Sequence, residues 1–198
     1  ASLGIDGDGW LLFFMGWLYD FSGLRQIVAS LAQDTSLLDG ARLMIVGDGD
    51  LYPELKELVE QNNLAPCVIL AGHRPYADIP GLLAAADVCL LPSLENDTTR
   101  DIVPMKVYEY LAAGKPVVAS RLPGLLAEFG QDGGIVYGEH PVDVLTRAVE
   151  LRCRPAEARL LGMMGRRMAE QNADWEKTTD CFEGLLRRAV EEMAKGTG

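Results

Sequence analysis

The sequence predicts an α/β fold: a doubly wound, Rossmann-like parallel β-sheet of about six strands flanked by helices, with a helical extension at the C-terminus. Two observations predict it. Short apolar runs rich in Val, Ile and Leu recur with little polar alternation, as in strands covered on both faces. Between them lie longer segments whose apolar residues repeat at helical spacing. Size agrees, because 198 residues make one domain able to bury a core without disulfides or metals.

Strands are expected at LLFFMG (11–16), RLMIVG (42–47), VILAG (68–72), DVCLLP (87–92), PVVAS (116–120) and GIVY (134–137). Leu24, Ile27, Val28 and Leu31 share one helical stripe, and Leu55, Leu58 and Val59 another. Leu82–Ala86, Val107–Ala113 and Val142–Leu151 supply the other helices of the alternation. Beyond Leu151 two longer helices follow, Pro155–Gln171 and Trp175–Lys195, with Pro155 suited to a first helical position. They pack outside the sheet or reach to a neighbour. The expected organisation is a flexible segment at 1–9, one domain at 10–174 and a C-terminal helix at 175–198. The glycine-rich ends, Leu3–Gly9 and Gly196–Gly198, read as frayed. The opening Ala, where Met would stand, reads as a tag scar or the start of an excised fragment.

Charge narrows the function classes. Lys plus Arg number 18 and Asp plus Glu 29, a net charge of −11. So acidic a surface argues against wrapping nucleic acid or lying on anionic lipid, and leaves room for a local basic pocket that takes a small phosphate ligand. The longest apolar stretch, Trp10–Tyr19, is half of what a bilayer span needs and is flanked by Asp6, Asp8 and Asp20. No basic region precedes it, so it does not read as a signal peptide. The four cysteines lack CxxC spacing. Cys67 and Cys89 sit inside apolar runs and read as reduced core thiols of a cytoplasmic protein.

Ligands of a doubly wound sheet bind at the carboxyl ends of its strands, so the residues after each run are the candidates. After the first run, Gly16 and Gly23 allow close backbone approach, and the helix start behind them offers free amides to a phosphate. Ser22 serves that site or is an ordinary helix cap. The loop is not GxGxxG, so a dinucleotide is not expected. Gly47-Asp48-Gly49-Asp50 follows the second run. A D-x-D here can hold a divalent metal, but no third ligand is placed to help, and Asp50 reads better as the cap of the next helix. Asp6-Gly7-Asp8-Gly9 lacks the residues that close a calcium loop. His73 and Arg74 follow the third run.

The richest segment, LPSLENDTTRDIVPMKVYEYLAAGKPVVAS, follows the fourth run. With Pro104 as first helical residue, Lys106 and Glu109 share a helix face at i and i+3. Lysine near a helix N-terminus adds charge to a place already favourable to anions, and Glu109 can accept from the two vicinal hydroxyls of a ribose. A solvated Lys–Glu pair would look the same in sequence.

This segment resembles the donor-binding signature of the GT-B glycosyltransferases of the group 1, or family 4, class. That class reads Pro-Ser, a loop, an acid, seven residues, then Glu-Ala-Met-Ala-x-Gly-x-Pro-Val-Val-Ala. Glu109 matches the second acid, and Gly114, Pro116, Val117 and Val118 match the tail. The Gly16 loop, IVGDGD, AGHRPYADIPGLLAAADVCLLPS, and Pro123-Gly124 with Glu128 behind them follow in family order. The likeness spans Leu11 to Leu151.

The resemblance implies the C-terminal, nucleotide-sugar-binding half of an enzyme whose N-terminal half holds the acceptor and to which the last helix crosses. Glu109 would bind the donor ribose, the loop with His73 and Arg74 would meet the base, and amides at Val103, Met105 and Lys106 would face the diphosphate, with Gly16, Trp17, Ser22 and Gly47 beside it. No metal or other cofactor is implied, since helix dipoles and basic side chains stabilise the leaving diphosphate. Trp17 and Ser22 replace the two basic residues of the family's first loop, so Lys106, with Arg100 nearby, is expected to carry that charge instead. Asp101, eight residues before Glu109, stands at the first acid, and the lengthened loop leaves Glu95 as its rival. Catalytic roles fall to Asp101 and Lys106. The expected activity is sugar transfer in polysaccharide or glycolipid assembly. The alternatives are a non-catalytic nucleotide-sugar-binding module and a sugar-nucleotide epimerase of the same fold.

Overall fold

A computed structural model describes residues 9–131, 133–173 and 175–195. Of the ends expected to fray, Leu3–Gly9 and Gly196–Gly198, all but Gly9 lie outside the described residues, Asp6 and Asp8 among them. The described residues form one six-stranded parallel sheet in the order β3-β2-β1-β4-β5-β6. The strands are β1 (Leu11–Met15), β2 (Arg42–Val46), β3 (Val68–Gly72), β4 (Val88–Leu91), β5 (Val117–Ser120) and β6 (Ile135–Gly138). Each falls on an expected apolar run. The helices are α1 (Leu24–Gln33), α2 (Tyr52–Gln61), α3 (Ile79–Ala85), α4 (Met105–Ala112), α5 (Pro123–Phe129), α6 (Pro141–Glu150), α7 (Pro155–Asn172) and α8 (Trp175–Lys195).

Side chains of a strand alternate between faces, and β1 shows why its run is continuously apolar. Leu12 and Phe14 enter the core shared with α1, α2 and α6. Leu11, Phe13 and Met15 enter the core shared with α4 and α5 on the other face. Burying each such side chain contributes about 1.5–3 kcal/mol. α7 packs on α4 through the small residues Ala158, Gly162, Gly165 and Ala169.

Three expectations change. α5 was not expected as a helix: it is short and carries Gly124 in its first turn, where propensity is poor. It forms because Leu125 and Phe129 are buried and the Gly124 amide is anchored on the Arg100 carbonyl at 2.9 Å. Pro104 precedes α4 with extended backbone (φ −68°, ψ 136°), and its carbonyl accepts the helix's first bond from Val107. Asp50 does not cap α2, which starts at Tyr52 behind Leu51.

The order places the sheet's reversal between β1 and β4. β1 pairs with β2 from Leu11 to Met15, but with β4 only at Leu12 and Phe13. Beyond Phe13 the two strands part, which opens the crevice where such sheets take ligands.

Candidate functional site

Two glycines make the crevice floor. Gly16 ends β1 with φ +133° and Gly47 ends β2 with φ +138°, conformations that side chains disfavour. A Cβ on Gly47 would stand 1.9 Å from the Gly16 carbonyl oxygen. The two turns therefore lie backbone on backbone, with the Gly16 amide on the Val46 carbonyl at 3.0 Å and the Gly47 amide on the Gly72 carbonyl at 2.9 Å.

α4 supplies the chemistry. Its first amides, Met105 and Lys106, have no acceptor among the described residues, and no side chain caps the helix. The Lys106 ammonium reaches back over the first turn. It lies 4.3 Å from the centre of the Phe14 ring and 2.6 Å from where a Gly16 Cβ would be. No hydrogen bond or ion pair holds it among the described residues. Burial pushes its pKa down to about 8, and the Glu109 carboxylate opposes that shift. One turn on, the buried Tyr110 hydroxyl accepts from the Met15 amide at 2.9 Å.

Two cavities meet at this lysine. A cavity of about 250 Å³ lies over Gly16 and Gly47 and is lined also by Asp48, His73, Arg74, Tyr76 and Glu109. A second, of about 390 Å³, is lined mainly by Phe14, Tyr19, Phe21, Leu91, Ile102 and Leu122, with Ser22 and Ser93 at its wall. Lys106 and Trp17 line both.

The structure thus brings together Gly16, Trp17, Gly47, Arg74, Lys106 and Glu109, and sets Ser22 in the neighbouring cavity. The buried Ser22 hydroxyl accepts from the Leu24 amide at 3.4 Å, and Gly23 is the residue at the helix cap. Arg74 is held by its Nε bond to the Ala71 carbonyl at 3.0 Å. Val103 and Met105 line neither cavity. Asp101 and Glu95 are exposed and also line neither. Asp48 faces the smaller cavity, and its Oδ1 accepts from the Gly49 amide at 2.8 Å. No group of three His, Cys, Asp or Glu suited to a metal occurs among the described residues. Sequence reasoning missed the aromatic cavity and the Tyr110 hydroxyl. The available signal was Tyr in place of Ala directly after Glu109.

The arrangement is an anion-accepting junction: one unpaired ammonium, free helix amides and a glycine floor, with a carboxylate one turn along. The profile of the family "Glycosyl transferases group 1" matches residues 11–153 and contains every one of these residues. The chain belongs to this family. Among curated relatives, the GDP-mannose-dependent alpha-(1-6)-phosphatidylinositol monomannoside mannosyltransferase of Mycolicibacterium smegmatis is 28% identical over 174 residues, 85% of this chain and 45% of that protein. The amylovoran biosynthesis glycosyltransferase AmsK of Erwinia amylovora is 39% identical over 82 residues, 41% of this chain and 20% of that protein. The fold matches sucrose-phosphate synthase of Thermosynechococcus elongatus with a TM-score of 0.80 at 22% identity, over 96% of this chain and 48% of that one. It also matches Anabaena HepE, solved with UDP-glucose, with a TM-score of 0.78 at 19% identity, over 91% and 49%. The chain spans half or less of the length of these relatives.

Proposed function

We propose that this chain is the donor-binding half of a glycosyltransferase that moves a sugar from a nucleoside-diphosphate sugar to an acceptor in polysaccharide or glycolipid assembly. The observation that carries the reading is the Lys106 ammonium, half-buried without an acceptor among the described residues where two cavities meet at the sheet's reversal. A partly desolvated cation without a partner carries a cost, and an anion that enters relieves it. The nucleoside lies in the smaller cavity, with its base at His73, Arg74 and Tyr76 and its ribose hydroxyls on Glu109. The diphosphate lies at Lys106 and the α4 amides. Trp17 and Ser22 stand where the family's cations do, and Lys106 carries that charge from the helix. It stabilises the diphosphate as it leaves, a fixed charge needing no metal or other cofactor.

The relatives support the donor class: they include a GDP-mannose-dependent mannosyltransferase, and a structural neighbour was solved with UDP-glucose. The acceptor is held by the remainder of the full-length protein, to which α8 crosses with Trp175, Phe182, Leu185 and Val190 exposed along it. Transfer by this chain alone is slight. No helix among the described residues is long and apolar enough to cross a membrane. A cytoplasmic enzyme, docked on a membrane through its other half, accords with four free cysteines. One observation favours a non-catalytic binding module instead, the loss of both loop cations at Trp17 and Ser22. Calorimetric titration with UDP, GDP and ADP in EDTA tests the reading. Binding of one nucleotide that weakens in Lys106→Ala and Glu109→Ala supports it. Binding only with added metal, or binding indifferent to both substitutions, contradicts it.

A further inference from the structure

The aromatic cavity has a composition unusual for a sugar site. Its walls are Phe14, Phe21, Leu91, Ile102 and Leu122, and Tyr19 lies stacked on Phe21 at 4.8 Å and 16°. Asp20, Glu95, Asp97 and Asp101 all stand on the segments that build it, yet none lines it. Lys106 is the only charged group among the lining residues, and it sits at the boundary with the nucleotide cavity. Lining hydroxyls are partly committed: Thr99 Oγ1 donates to the Leu94 carbonyl and accepts from the Asn96 amide, and Ser22 accepts from Leu24. Ser93, Thr98, the Tyr19 hydroxyl and the Trp17 indole N–H remain at the rim to meet a ligand.

We propose that this cavity receives the glycosyl group of the donor and selects a sugar bearing a methyl-containing substituent, a 6-deoxyhexose or an N-acetylhexosamine, over a fully hydroxylated hexose. The proposal rests on the nucleotide reading above, because continuity through Lys106 and Trp17 places the group beyond the diphosphate here. Aromatic faces accept the C–H face of a pyranose, and a methyl group gains by leaving water for such a wall. Each hydroxyl brought into the same wall loses water and finds few partners, since no carboxylate is there to accept from it. The methyl is the shared chemistry of the two sugar classes, and the structure commits to that feature.

The test is calorimetry of this chain with UDP, GDP, ADP and dTDP, then with matched sugar conjugates on whichever base binds. One arm compares a hexose with its N-acetylhexosamine counterpart, the other with its 6-deoxy counterpart, so the arms tell the two sources of the methyl apart. At least one methyl-bearing donor is expected to bind about tenfold or more tightly than its hexose partner. Ile102→Asn and Tyr19→Ser, both at exposed positions, are each expected to bring that ratio toward one, with the nucleoside diphosphate measured in parallel as reference. Equal affinity across both pairs, or tighter hexose binding, overturns the proposal and leaves the nucleotide site standing. Absence of binding by every nucleoside diphosphate overturns the nucleotide reading and this inference with it.

Discussion

The Tyr110 hydroxyl and the Met15 amide are joined by a buried hydrogen bond of 2.9 Å across 95 residues of chain. The next amide, Gly16, bonds to Val46 of β2, so Met15 faces the β4 side, where pairing has already stopped at Phe13. A side chain from α4 thus takes the place of a missing strand. It ties the helix that carries Lys106 and Glu109 to the turn that carries Gly16.

Tyr110→Phe removes that partner and leaves a buried amide unsatisfied. The expected cost is about 1–3 kcal/mol in denaturant unfolding. Nucleoside-diphosphate affinity should fall as well, because the Gly16 turn and α4 lose their shared reference point. Unchanged stability would mean that water or a shifted strand replaces the hydroxyl.

Donor binding should depend on pH through Lys106. The free ammonium titrates near pH 8, and a bound diphosphate favours its charged form. The phosphates of a nucleoside-diphosphate sugar do not titrate in this range. Affinity is therefore expected to be level below about pH 8 and to fall above it, by up to about tenfold per pH unit, until the pKa of the complex is passed. In Lys106→Met the slope should vanish together with most of the affinity.

The same substitution should stabilise the ligand-free chain. Lysine in an unfolded chain titrates near 10.5 and Lys106 near 8, so between those values the unfolded state holds the extra proton and stability rises with pH. Below pH 8 the half-buried charge carries its full cost, on the order of 2–3 kcal/mol at about 1.4 kcal/mol per unit. Lys106→Met is thus expected to raise the Tm at pH 7 by several degrees while weakening donor binding, and thermal melts beside titrations read both. A lower Tm would show that the stem's packing over Phe14 outweighs the charge.

Glu109→Ala should erase discrimination against a 2′-deoxyribose. If Glu109 accepts from the ribose, the wild-type chain binds the ribonucleotide about tenfold to a hundredfold more tightly than its 2′-deoxy analogue, and the variant binds the two alike. Competition titration with the matched pair measures it.

Gly47→Ala tests the floor. The new Cβ meets the Gly16 carbonyl oxygen at 1.9 Å with φ at +138°. A loss of about 2–4 kcal/mol is expected from backbone strain and overlap, read as a lower denaturant midpoint.

Much of this was legible along the chain. Strands buried on both faces announce themselves by unbroken apolar runs, and all six such runs became strands, because that pattern depends only on near neighbours. The Lys106–Glu109 face was readable for the same reason, since i and i+3 positions share a helix surface wherever the helix lies. Helix ends were less legible. Gly124 hid α5, whose existence depends on burial of Leu125 and Phe129 and on the Arg100 carbonyl, all of it contact made after folding.

What no periodicity could supply is the meeting of segments distant in sequence. A solvated Lys–Glu pair and a buried anion site read identically in the chain, and only the packing of α4 against β1 drives the Lys106 ammonium over Phe14, lowers its pKa and leaves it unpaired. Only the parting of β1 from β4 explains Tyr110, and only the fold of the β4–α4 loop turns Asp101 and Glu95 outward and closes an aromatic cavity beside Trp17. Local pattern specified the elements; desolvation and hydrogen-bond satisfaction, which depend on what lies across a gap rather than along the chain, specified the site.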